Sequence, residues 1–164
     1  MESLSQLHPQ VVHFPIALFL IYVLLEIVGT VFKKEFFSKA AHLVLFLGVL
    51  GAFAAVLTGN SAEDAARALS KAGASIPLKA IGEHSDYATF VMWFFTGLLV
   101  LRTYFVLKKK FTGTIKYIFV ILSLVGTFFV YRTGYLGGRL VYKYGVGTDL
   151  KKMELKNPKT KSGE

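Results

Sequence analysis

The sequence predicts an all-α membrane protein: a four-transmembrane-helix bundle with a short surface helix between spans two and three. The composition is 54% apolar but only 18% charged, and the mean hydropathy is positive at +0.53. Soluble domains usually have about a quarter of their residues charged. The apolar residues also form four blocks, each close to the roughly 20 residues that a helix needs to cross a bilayer.

The four predicted spans cover residues 11–32, 40–58, 87–107 and 115–135. The first contains one charge, Glu26, and two lysines follow it. The second is rich in glycine and alanine, which let transmembrane helices approach closely, and Gly59 just after it is a candidate helix end. We therefore expect one membrane domain over residues 1–150, followed by a charged and disordered tail over residues 151–164.

The longest connection joins spans two and three. Ser61 is a favourable helix N-cap, and acidic residues such as Glu63 follow in the first turn. These features predict a short helix over residues 61–69. Gly73 and Pro77 should prevent a helix from continuing beyond it. We expect this connection to lie on the membrane surface.

Composition excludes several kinds of site. The chain has no cysteine, which rules out disulfides, thiolate zinc sites, iron–sulfur clusters and covalently attached c-type haem on this chain. The net charge of +9 comes from lysines beside the apolar blocks and near the C-terminus. Without a nucleic-acid-binding motif, this charge favours contact with the anionic headgroups of the lipid bilayer and no nucleic-acid partner.

Antiparallel spans bring distant residues to a common membrane face. The start of span one, the end of span two, the start of span three and the end of span four should meet there, together with His8, His13, His84 and Arg132. The opposite face collects the short lysine-rich loops. The positive-inside rule places those loops in the cytoplasm, which predicts an inner-membrane protein with both termini and the histidine-rich face outside.

The three histidines on one face are candidate cofactor ligands, since histidine commonly binds haem and metal ions. His8 and His13 would point about 140° apart on a regular helix, at roughly 100° per residue, so they should not both face one iron. We expect haem b with His13 and His84 as axial ligands, His8 beside the site and Arg132 on a propionate. One alternative is a copper or zinc ion bound by His13 and His84, for which His8 is also a candidate ligand beside Glu83 and Asp86. Another is that each histidine only hydrogen-bonds water or backbone at a span end.

Glu26 indicates a second possible function. A carboxylate within a membrane span often marks a proton or ion path, and His42 enters span two from the same side. The pair is a candidate proton relay in an ion or proton transporter or a metal-binding permease. The alternative is that Glu26 and His42 only stabilise the packing of the helices. No hydrolase motif such as Gly-x-Ser-x-Gly or His-Glu-x-x-His is present, so the sequence does not favour an enzyme.

Two motifs carry a family resemblance. The first is His8-Pro9-x-x-Val12-His13-Phe14-Pro15-Ile16-Ala17-Leu18, and the second is Gly134-Tyr135-Leu136-Gly137-Gly138-x-Leu140-Val141-Tyr142-x-x-Gly145-Val146-Gly147. They resemble the domain-of-unknown-function 2231 family of small bacterial membrane proteins. The resemblance implies a four-span fold and no settled catalytic residues. It also implies a redox setting, with cytochrome or iron–sulfur proteins as partners, in which the chain carries electrons or serves as a non-catalytic assembly subunit of a respiratory complex.

Overall fold

The computed structural model describes residues 2–147, with side chains from Leu7 onward. Over that range the chain forms five helices: α1 (Glu2–Val11), α2 (His13–Val31), α3 (Glu35–Lys71), α4 (Leu78–Leu107) and α5 (Thr114–Tyr142). Four stretches are long and apolar enough to cross a membrane, the first running from Leu7 in α1 to the end of α2. This confirms the predicted all-α, four-span fold. The predicted tail, 151–164, lies outside the described residues.

The long helices alternate in direction, so each end of the bundle gathers residues from several helices. The end that we call the histidine end contains His8, Thr58, His84 and Thr133, which contact one another across helices. The end that we call the lysine end contains Glu26, Ser38, His42 and Arg102, which are joined by hydrogen bonds. These contacts confirm that the predicted spans run antiparallel.

An aromatic layer lies between the two ends of the bundle. The rings of Phe19 and Phe95 stack with their centroids 3.9 Å apart, and both side chains are buried. Glycines give them room: a Cβ at Gly48 would lie 2.8 Å from Cε1 of Phe19, and one at Gly126 would lie 2.6 Å from Cζ of Phe95. The close approach of these helices therefore depends on small residues, as is common in membrane bundles.

The outer surface of the bundle is apolar. Large hydrophobic side chains are exposed on every long helix, including Leu24, Leu43, Val100, Ile121 and Phe128. In water, so many exposed apolar groups would favour aggregation. In a bilayer they contact lipid chains at no such cost, which agrees with the four membrane-spanning stretches.

The connection after span two differs from the sequence prediction, because residues 61–69 continue α3 instead of forming a separate helix. Ser61 does not act as an N-cap, since its hydroxyl donates to the carbonyl of Leu57 at 3.2 Å, one turn earlier. Gly59 lies within the helix, where its missing side chain leaves room for a neighbour. The left-handed helix end comes later, at Gly73 with φ of 91°.

Candidate functional site

His8 extends from α1 onto α3. Its Nδ1 lies 3.1 Å from the carbonyl oxygen of Ala55 and 3.1 Å from Oγ1 of Thr58. A carbonyl can only accept a hydrogen bond, so Nδ1 carries the proton and donates it to Ala55. Nε2 is then left with a free lone pair. The ring fits closely against α3, because a Cβ at Gly59 would lie 3.0 Å from Cε1 of His8.

His84 repeats this arrangement between α4 and α5. Its Nδ1 lies 3.1 Å from the carbonyl oxygen of Thr133, so Nδ1 is again the donor and Nε2 again keeps its lone pair. A Cβ at Gly137 would lie 3.1 Å from Cε1 of His84. Each imidazole is thus held by a backbone carbonyl and seated against a glycine of a neighbouring helix.

The two imidazoles lie next to each other, and we call them the histidine pair. Their ring centroids are 6.5 Å apart with the planes inclined at 75°, and both residues are half-buried. Histidines that bind metals almost always donate their second ring N–H to a carbonyl, a carboxylate or water, which fixes the ring orientation. The histidine pair has this feature twice, since each Nδ1 is held by a backbone carbonyl.

The other residues predicted for this site are His13 and Arg132. His13 is exposed at the start of α2, beyond the break between α1 and α2, and no hydrogen bond or ring contact joins it to His84 among the described side chains. Arg132 is half-buried, and its guanidinium carbon lies 5.7 Å and 5.8 Å from the ring centroids of Tyr87 and Tyr135. The neighbour that the structure gives to His84 is therefore His8, with Arg132 close by in α5.

At the lysine end, Glu26 is bound by an arginine from α4. Arg102 donates to Oε2 of Glu26 from Nε at 3.1 Å and from Nη2 at 2.8 Å. Nη2 also donates to the carbonyl of Ser38 at 2.9 Å, and Nη1 donates to Nδ1 of His42 at 3.1 Å. Glu26 and His42, the predicted relay pair, are thus connected through Arg102, which the sequence analysis did not single out.

This ionic cluster is deeply buried. Glu26 and Arg102 are each only 1% exposed, and the Arg102 guanidinium lies 4.2 Å from the ring centroid of Phe111. Oε1 of Glu26 and the hydroxyl of Tyr22 are buried and have no hydrogen-bond partner among the described residues. A single intramembrane carboxylate requires a partner, and this rule, applied to antiparallel spans, would have pointed to Arg102.

A family model described as a predicted membrane protein, DUF2231, matches residues 5–150. The chain belongs to this family. The match covers α2 to α5 and most of α1, including both members of the histidine pair and the Glu26–Arg102 ion pair. Comparisons of this DUF2231 protein with curated proteins and with solved structures gave no match.

Proposed function

We propose that this DUF2231 protein binds haem b between His8 and His84 and serves in electron transfer or redox sensing. The observation that supports this most strongly is the histidine pair, with two half-buried imidazoles whose Nδ1 atoms are held by carbonyls. A metal–imidazole bond is about 2 Å long, so two imidazoles that bind one metal have ring centres no more than about 6 Å apart. The 6.5 Å separation of the two rings is close to that value.

The number of ligands favours haem over a copper or zinc ion. Across residues 2–147, no group of three or more His, Cys, Asp or Glu side chains could hold a metal ion. Zinc usually takes three or four protein ligands. Haem iron receives four nitrogens from the porphyrin and needs only axial ligands from the protein. Two oriented histidines meet that need, and they replace the pairing of His13 with His84 that the sequence suggested.

The surrounding residues have definite roles in this proposal. The carbonyls of Ala55 and Thr133 hold the two Nδ1–H groups, which fixes the rings and makes each Nε2 a stronger base. Arg132, next to Thr133 in α5, would bind a propionate by charge-assisted hydrogen bonds. Bound haem would supply one-electron chemistry. The partners would be cytochrome or iron–sulfur proteins, to which this chain passes electrons or which it helps to assemble.

The direction of the bundle in the membrane is part of the same proposal. The loops at the lysine end are short and carry Lys33, Lys34 and Lys108 to Lys110. The positive-inside rule would place this end in the cytoplasm. The histidine pair and both termini would then lie outside, in an inner membrane, where soluble redox partners on that side can reach the pair.

The proposal is tested by a reduced-minus-oxidised visible spectrum of protein purified in detergent from haem-replete cells. Wild type should show a Soret and an alpha band, and His8→Ala and His84→Ala should each lose them. His13→Ala is the matched control, since His13 is an exposed histidine only five residues after His8. This variant should keep the bands. A featureless wild-type spectrum, or loss in His13→Ala with retention in His8→Ala, would overturn the proposal.

The buried carboxylate supports a second candidate, proton or ion movement through Glu26. Its Oε1 has no hydrogen-bond partner among the described residues and is free to take up a proton, while Oε2 accepts from Arg102, which also donates to His42. The layer of Phe19 and Phe95 separates this chain from the histidine pair. Proteoliposomes with an enclosed pH dye test the candidate: Glu26→Gln should slow proton entry at least tenfold in folded protein, and equal rates would rule it out.

A further inference from the structure

The lysine end contains a cavity of about 780 Å³ between the α2–α3 and α4–α5 loops, which we call the basic cavity. Its lining includes five cationic side chains and one carboxylate. These are Lys33, Lys39, Arg102, Lys109, Lys116 and Glu35. The basic cavity is at the opposite end of the bundle from the histidine pair, so it is a separate site from the proposed haem centre.

Much of this positive charge is not neutralised by the protein. Arg102 is paired with Glu26, and Lys39 is paired with Glu35 at 3.0 Å. Lys33, Lys109 and Lys116 form no ion pair within the described part of the chain. Lys33 and Lys109 are exposed to solvent, so their ammonium groups are accessible to a ligand from outside the protein.

In each of the two loops, a lysine that lines the cavity occupies a backbone position that normally favours glycine. α2 and α4 end in the same hydrogen-bonding pattern, in which Lys34 N–H donates to Gly29 at 3.1 Å and Lys110 N–H donates to Phe105 at 2.8 Å. In this pattern the preceding residue adopts the left-handed conformation. Here those residues are Lys33 with φ of 54° and Lys109 with φ of 55°, the only non-glycine residues with positive φ between residues 2 and 147.

The end of α3 shows that the chain can use glycine in this position. There the left-handed residue is Gly73, with φ of 91°, and the N–H of the next residue, Ala74, donates to Leu69 at 3.1 Å. Nothing lies within 4 Å of the position a Cβ would take at Gly73. The two lysines that carry backbone strain are both cavity residues, while their neighbours Lys34 and Lys108 are not. Strain of this kind is common at functional sites.

Further hydrogen-bond donors point to the kind of ligand. Arginine can only donate, so His42 accepts from Arg102 at Nδ1 and its Nε2–H remains a donor at the cavity. α3 and α5 also begin at the cavity. Helix N-termini carry partial positive charge. The N–H groups of Ile115 and Lys116 in α5 already donate to the carbonyls of Thr112 and Gly113, so what the start of α5 contributes is this partial charge. Cations, a neutral donor and helix N-termini together suit a phosphate group.

We propose that the basic cavity binds a phosphate-bearing anion, either free phosphate or a phospholipid headgroup, with Lys33 and Lys109 as its principal charge partners. The two sources share one chemistry: a tetrahedral oxyanion held by lysine ammonium groups and N–H donors. The backbone strain at the two lysines is what places their side chains beside the same ligand.

Native mass spectrometry and thermal unfolding of delipidated protein in detergent test this proposal with two probes, inorganic phosphate and short-chain phosphatidylglycerol. The double variant Lys33→Gly/Lys109→Gly removes both charges and relieves the backbone strain, so it should fold. We expect it to bind at least about tenfold more weakly. The control Lys34→Gln/Lys108→Gln removes the same charge from neighbouring positions outside the cavity and should bind within about twofold of wild type.

Binding of phosphatidylglycerol alone supports the proposal with a lipid headgroup as the source, and binding of inorganic phosphate alone supports it with a soluble ion. If wild type binds neither probe, the proposal is overturned. If both double variants lose affinity equally, the effect is one of total charge and the proposal is likewise overturned.

Discussion

Arg102 donates two hydrogen bonds to the same carboxylate oxygen of Glu26, although 76 residues separate them along the chain. The ion pair joins α2 to α4, and the further bond from Arg102 to Ser38 adds α3. Both charges are almost completely excluded from the surface. Charges within a membrane domain are costly unless they are paired, so this contact fixes how three helices pack at the lysine end.

Removing one partner of the pair should be strongly destabilising. Arg102→Met leaves Glu26 buried without its cation, and breaking a buried pair in this way typically costs about 3–5 kcal/mol. We expect a clear fall in the thermal unfolding midpoint in detergent. The double variant Glu26→Leu/Arg102→Met removes both charges and should recover much of the loss. Equal stability of wild type and Arg102→Met would show that the pair does not hold the helices.

This ion pair also shows what the sequence could not supply. Hydropathy predicted the position of Glu26 within span one, but it gave no sign that Arg102, near the end of span three, is buried against it. Burial depends on which side of α4 faces α2, and the hydrophobic pattern of a membrane helix defines that side weakly because lipid and core are both apolar. The same weakness explains why the sequence favoured His13 over His8 as the partner of His84.

The contact between α2 and α3 beside this ion pair depends on Gly29. A Cβ there would lie 2.8 Å from the backbone nitrogen of Ser38, and backbone cannot move aside as a flexible side chain can. Gly29→Ala should therefore cost about 1–3 kcal/mol. Gly97→Ala is the control, because nothing lies within 4 Å of the corresponding Cβ position, and it should be neutral or stabilising. Thermal unfolding of the two variants in detergent measures the difference, and equal midpoints would contradict it.

Gly137 should matter to the histidine pair and not only to packing. An added Cβ would lie 3.1 Å from Cε1 of His84, so Gly137→Ala should displace the imidazole and weaken or shift the haem bands. Gly134→Ala, one turn earlier in α5, meets nothing within 4 Å and should leave the spectrum unchanged. Visible spectra of both variants, at matched protein concentration, distinguish these outcomes. Identical spectra would show that Gly137 does not determine the position of His84.

Lys33 should be replaceable by glycine with a gain in stability. Its backbone is left-handed, with φ of 54°, and this conformation destabilises the folded state by about 1–2 kcal/mol for a residue with a side chain. Glycine avoids this cost, but its more flexible unfolded chain offsets part of the gain. We expect Lys33→Gly to gain about 1 kcal/mol. Lys34→Gly, at an ordinary φ of −96°, should instead lose about 0.5–1 kcal/mol. Thermal unfolding in ligand-free detergent tests the pair, and a loss of stability in Lys33→Gly would contradict the assignment of strain.

The number and order of the spans followed from the sequence because apolar length is a strong and local signal. The end of span two did not, since the turn residues Gly59 and Ser61 indicated a helix end. In the structure Gly59 makes room for the His8 ring, and Ser61 bonds back to Leu57. Both residues serve contacts across or along α3 that local propensity cannot reveal. The basic cavity was equally hidden, because it forms only when two distant loops meet.

The central claim is that His8 and His84 together would hold one haem, and the most direct test is low-temperature electron paramagnetic resonance of the oxidised protein. The account predicts a low-spin ferric signal in wild type and in His13→Ala. It predicts no ferric haem signal in His8→Ala and in His84→Ala, since each removes a residue that would hold the haem. A wild type without a ferric haem signal, or a low-spin signal that persists in His8→Ala, would contradict the claim.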